Sequence, residues 1–140
     1  MTTINLKEEN LMNIIIIEPS ETSRIKIESL LHNMHINSDE LHTFENGQIA
    51  LDFIREEGAD LIFTALHLEE LDGVSFTDLL LNESPALVSK LFILSSEKNL
   101  NYYEEIKEVG AKRFIKKPIN EKLFNHFIEP EIHKLQQIVI

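Results

Sequence analysis

Side chains able to attack, ligate or shuttle protons are present in this chain, but few fall into a workable spacing. The six histidines invite a metal reading. His32 and His35 lie three apart, yet His35 falls past the expected end of its helix and no second pair has ligand spacing, so a zinc or catalytic metal site lacks support. Cysteine is absent, which excludes disulfides and thiol chemistry. No Gly-rich phosphate loop follows the first apolar run, and no nucleophile–base pair is apparent, so an enzyme on this scaffold is the weaker alternative. What remains is sparse. Glu18, Ser95 and Lys117 each stand at the end of a short apolar run, and Pro19 and Ala65 hold comparable positions.

The runs that must position them alternate with helical patterns. Asn13–Ile17 is a β-branched run ended by Glu18-Pro19, the pattern of a strand buried on both faces. The stretch after Ser20 places Ile27, Leu30, Leu31 and Met34 on one helical face, with Ser20 or Thr22 as the cap. Asp39–Phe44 reads as a weak strand, and Gln48–Glu57 as a helix stopped by Gly58. Asp60–Ala65 is the central strand, followed by the turn signal Asp72-Gly73 and a helix over Val74–Asn82 that closes at Ser84-Pro85. Leu91–Leu94 is a further strand, a helix begins at Asn99 or Asn101 and stops at Gly110, and Arg113–Ile115 is the last strand. A final helix runs from Asn120 to about Ile128.

This rhythm predicts an α/β fold: a doubly wound, five-stranded parallel sheet with helices on both faces, a three-layer flavodoxin-like sandwich. Such sheets put their functional sites at the C-terminal strand ends beside the switch point. Those ends are Glu18-Pro19, Ala65, Ser95 and Lys117.

The length of 140 residues suits one domain, divided here into an N-terminal extension (1–12), the main domain (13–128) and a helical C-terminal extension (129–140). A formal net charge of −11, from 24 acidic and 13 basic residues, repels a nucleic-acid backbone. No apolar run approaches the roughly 20 residues of a membrane span. The N-terminus lacks the features of a secretory signal, and a cytoplasmic location is expected. Too few residues follow Ile128 for an output module, so a stand-alone domain is expected.

The order of strands and turns resembles the receiver domain of two-component response regulators from about Asn13 to Ile128. The resemblance rests on Glu18 at the first strand end, Arg24, Asn46-Gly47 with Ala50-Leu51, Asp72-Gly73, Ser95, Gly110-Ala111 with Phe114, and Lys117-Pro118. It implies a phosphoacceptor at the end of the third strand, an acidic pair holding Mg²⁺ after the first, and a hydroxyl at Ser95. It also implies an aromatic switch at Phe114, an invariant-type lysine at Lys117 and a cis bond to Pro118. The departures sit where the chemistry would be. Ala65 occupies the acceptor position and Pro19 replaces one metal-binding carboxylate, so weak or absent Mg²⁺ binding and no other cofactor are expected. With one carboxylate facing one lysine, a direct Glu18–Lys117 pair is expected.

The remaining candidates have plainer readings. Ser95 and Lys117 read as relics kept by packing, and Phe114 as a half-buried aromatic. Glu69 and Glu70 belong to a solvated loop rather than serving as substitute acceptors, Thr64 alternates to the face opposite Ala65, and His67 rims the pocket. Tyr102 and Tyr103 read equally as interface residues or as rings lying along their helix. Pro130 should end or kink the last helix near Ile128, or open a new one bearing Ile132, Leu135 and Ile138 or Val139. The apolar Ile138-Val139-Ile140 either packs back or meets a partner. The functional expectation is a pseudo-receiver signalling through protein partners, with a receiver phosphorylated at an unorthodox acceptor as the alternative. The resemblance implies docking or homodimerisation through the fourth-helix, fifth-strand, fifth-helix face, and the C-terminal extension is a second candidate surface.

Overall fold

A computed structural model describes residues 11–137 except 97, 99, 100, 102, 103, 105, 106 and 109. Five parallel strands, β1 (Ile14–Ile17), β2 (Leu41–Phe44), β3 (Leu61–Ala65), β4 (Leu91–Ser95) and β5 (Arg113–Lys116), form one sheet in the order β2-β1-β3-β4-β5. The doubly wound, flavodoxin-like sandwich read from the sequence is the fold observed.

Alternation along each strand divides the core in two. Ile14, Ile16, Phe63, Phe92 and Leu94 point toward helix α1 (Glu21–His32) and the C-terminal helix (Glu121–Gln137). Ile15, Ile17, Ile62, Leu91 and Ile93 point toward α2 (Gly47–Glu57) and α3 (Gly73–Glu83). All four isoleucines of β1 are fully buried, which is why an unbroken β-branched run marked this strand. Among the described residues, no helix is long and apolar enough to cross a membrane.

Two elements depart from expectation. β2 begins at Leu41, because Ser38–Glu40 winds into a 3₁₀ turn. The Glu40 carboxylate accepts from the Asn37 amide (3.1 Å) and from the Met12 amide (3.0 Å), so the turn also ties down the chain entering β1. The C-terminal helix continues from Glu121 to Gln137 with Pro130 inside it, correcting the expected boundary near Ile128. An interior proline costs about 3 kcal/mol. Against this, Ile132 is buried in the same cluster as Phe124 and Ile128, a gain of roughly 2 kcal/mol, and Leu135 packs beside it. Glu131, nearly buried, also meets Lys112 and Lys134 at 3.7 Å each. Residues 138–140 lie outside the described residues.

The glycines of Asn46-Gly47 and Asp72-Gly73 are helix residues rather than turn residues. Asn46 Oδ1 accepts from the amides of Gln48 (2.7 Å) and Ile49 (3.2 Å), and Asp72 Oδ1 from that of Ser75 (2.8 Å), as N-caps. A Cβ on Gly73 would stand 2.7 Å from the Ala65 carbonyl oxygen and 2.8 Å from that of Leu66. Both obstacles are backbone, so the loop can lie on the end of β3 only if residue 73 has no side chain. Gly73→Ala should therefore lose about 1–3 kcal/mol in urea unfolding, the usual cost of overpacking. An unchanged midpoint would refute the close approach.

Candidate functional site

Parallel register aligns the strand ends. Ile17 pairs with Thr64, Ala65 with Leu94, and Ser95 with Lys116, so Glu18, Ala65, Ser95 and Lys117 stand in one row across β1, β3, β4 and β5. The structure thus brings together the pocket residues read from the sequence.

Each is held by its own element. The Glu18 amide donates to the Phe44 carbonyl (2.9 Å), Glu18 Oε2 accepts from the Ser20 amide (3.1 Å), and the Glu18 carbonyl accepts from Arg24 Nη1 (2.8 Å). Arg24 also lies 3.6 Å from Glu45. The Lys117 amide donates to the Ser95 carbonyl (3.0 Å), which carries the lysine from the edge strand toward the centre, and the following bond to Pro118 is cis. Nζ of Lys117 meets Oε1 of Glu18 directly, across the ends of the two strands between them. The Glu18 side chain is 2% exposed and that of Lys117 22%, so the pair is buried on its acidic side and reached by water on its basic side.

At the end of β3 the chain presents a methyl. Ala65 is buried, and so is Ser95 in the neighbouring strand. Thr64 is also buried, its hydroxyl donating to the Ala65 carbonyl (3.1 Å). Phe114 is half-buried among the residues on the α2–α3 side. Pro19 and His67 are exposed and line an open groove above the row, together with Glu45, Asn46, Leu68 and Glu69. Glu70, at φ 64°, accepts from Asn46 Nδ2 (2.8 Å), joining the loop after β3 to the cap of α2. Tyr102 and Tyr103 lie outside the described residues. Among the described residues, no group of three His, Asp or Glu side chains converges as a metal site would require.

Three contacts were not read from the sequence: the Arg24 bond to the Glu18 carbonyl, the Asn46–Glu70 bond, and the burial of Glu40. The last left a signal, since Asn37 followed three residues later by Glu40 is a capping-box spacing.

Several solved structures share this architecture. The signal receiver domain of an HD domain-containing protein from Pseudomonas fluorescens Pf-5 superposes with a TM-score of 0.76 at 18% identity, covering 92% of each chain. That of a signal transduction histidine kinase from Syntrophus aciditrophicus gives 0.75 at 21% identity, covering 90% of this chain and 93% of that one. The receiver domain of a sensor histidine kinase from Pseudomonas aeruginosa PAO1, solved with magnesium coordinated in its active site cleft, gives 0.73 at 17% identity over 87% of this chain and 98% of that one. No curated protein matches the sequence. Residues 14–129 match the response regulator receiver domain, and by that match over most of its length the chain belongs to the receiver domain family of two-component signalling.

Proposed function

We propose that this receiver domain transduces signals by protein–protein contact and does not accept a phosphoryl group at the end of β3. The observation that carries this reading is the pairing of an alanine with an occupied carboxylate. Ala65 offers no oxygen to attack phosphorus, and Glu18 is engaged by Lys117 and the Ser20 amide. The residues present do not fit magnesium. The ion prefers an octahedral shell of oxygens, usually with one or two carboxylates, and Glu18 is the single carboxylate of the row, already neutralised. The contrast is with the Pseudomonas aeruginosa relative, whose cleft coordinates the ion. An ammonium here takes the place of a metal.

A domain of this kind works by presenting a surface, with no turnover of its own. A partner biases it only by its different affinity for two conformations, so the partner itself must distinguish them. Such a partner is a protein, and the formal net charge of −11 works against a role on nucleic acid. The lack of cysteine agrees with action in the cytoplasm. Incubation with acetyl phosphate and Mg²⁺ followed by intact-mass measurement should leave the protein without an adduct. A stoichiometric phosphoryl adduct, mapped to any residue of the row or its loops, would overturn this reading.

A further inference from the structure

The sheet carries opposite charge at its two edges. Residues 37–60, which include edge strand β2 and helix α2, hold seven acidic residues against Arg55 alone, and five of them, Asp39, Glu45, Asp52, Glu56 and Glu57, are exposed. Arg55 is already engaged, with Glu83 at 2.7 Å through both Nε and Nη2, and with Asp52 at 3.1 Å. At the opposite edge, residues 110–123 hold five basic residues against Glu121; Lys117 is paired with Glu18 and Lys112 with Glu131, which leaves Arg113, Lys116 and Lys122 to face outward. Lys116 and Lys122 are exposed and have no ion-pair partner among the described residues.

Each edge also presents an apolar anchor. On α2, Ile49 is 59% exposed and shares a helix face with Phe53, whose ring stacks near His42 (4.6 Å) and Phe44 (5.4 Å) of β2. Beside β5, Leu123 is 54% exposed at a groove formed with Ile115, Pro118 and Phe127. Arg113 covers one side of Phe127, 3.9 Å from the ring centre. Charge and apolar surface are therefore complementary between the two edges, while either edge meeting its own kind would oppose like charges.

We infer that the chain associates with copies of itself head to tail, the basic groove beside β5 of one copy receiving the acidic, Ile49-bearing edge of the next. Such a heterologous contact is not self-complementary, so it builds open chains or rings rather than a two-fold dimer. It also has an unusual salt signature. The net charge of −11 makes whole molecules repel over a screening length of about 30 Å at 0.01 M salt, and this falls to about 8 Å at 0.15 M and about 3 Å at 1 M. Association is therefore greatest at intermediate salt, where long-range repulsion is screened and contact attraction survives. The inference goes beyond the proposed function and is independent of whether Ala65 silences the domain.

Sedimentation equilibrium across salt and protein concentration tests it, using wild type, Lys116→Glu/Lys122→Glu and Ile49→Lys/Glu56→Lys. All four substituted positions are exposed, and matching thermal melts confirm that the variants fold. Wild type should show an average mass that climbs with concentration without a plateau at two copies, highest near 0.15 M salt. Each variant alone should be monomeric, and an equimolar mixture should associate again. Wild type that stays monomeric at every salt overturns the inference. So does either variant associating as wild type does, or a mixture of the two that remains unpaired.

Discussion

Replacing Lys117 by methionine should destabilise the domain by about 3 kcal/mol, with most of the loss recovered when Glu18 is changed to glutamine in the same chain. The Glu18 side chain is 2% exposed, and its Oε1 faces the lysine. Removing one partner of a buried ion pair costs about 3–5 kcal/mol because the other charge stays behind without compensation. The lower end applies here, since Lys117 is partly reached by solvent and the Ser20 amide still serves Oε2. For a chain of this size the single variant should melt roughly 10 °C lower. Glu18→Gln/Lys117→Met removes the stranded charge while keeping the shape. Urea unfolding of the four proteins forms a cycle whose coupling energy measures the pair. A single lysine variant within about 0.5 kcal/mol of wild type, the range of an ordinary surface change, would show that the contact holds nothing.

The reverse experiment supplies what the row lacks. Pro19→Asp/Ala65→Asp places carboxylates after β1 and at the end of β3, beside Glu18 and Lys117. Without metal this variant should be less stable than wild type, because three acidic groups then crowd one ammonium. Mg²⁺ should reverse the loss, adding about 2.7 kcal/mol at a hundredfold excess over its Kd, and should leave wild type unaffected. With acetyl phosphate, an oxygen of the Ala65→Asp carboxylate bonds to phosphorus as acetate departs, and intact mass should show one phosphoryl group on the double variant. A folded double variant indifferent to Mg²⁺ would mean that these two carboxylates do not suffice to bind the ion.

How much of this was legible beforehand differs by element. β1 declared itself because four consecutive isoleucines admit few other environments. The row of Glu18, Ala65, Ser95 and Lys117 followed from strand ends in a parallel sheet, and the Glu18–Lys117 pair from one negative and one positive group left facing each other. The start of β2 was only partly legible: the Asn37–Glu40 spacing marks a cap, but Glu40 also serves an amide 28 residues away at Met12. The passage of the last helix through Pro130 was hidden for a similar reason. Local rules count the lost hydrogen bond, but the burial of Ile132 against the rest of that core appears only once the chain has closed on itself. Asn46-Gly47 and Asp72-Gly73 marked the right places with the wrong geometry, since a cap and a close approach leave the same dipeptide signature as a turn.

The continuous C-terminal helix bears on where the cooperative unit stops. The match to the receiver family ends at residue 129, one position before the proline, yet Ile132 and Glu131 are still bound into the folded body. Trimming the protein at residue 129 would remove Ile132 from the core cluster it shares with α1 and strip Lys112 of its counterion. The end of the match and the edge of the packed body differ here by at least the three residues to Ile132.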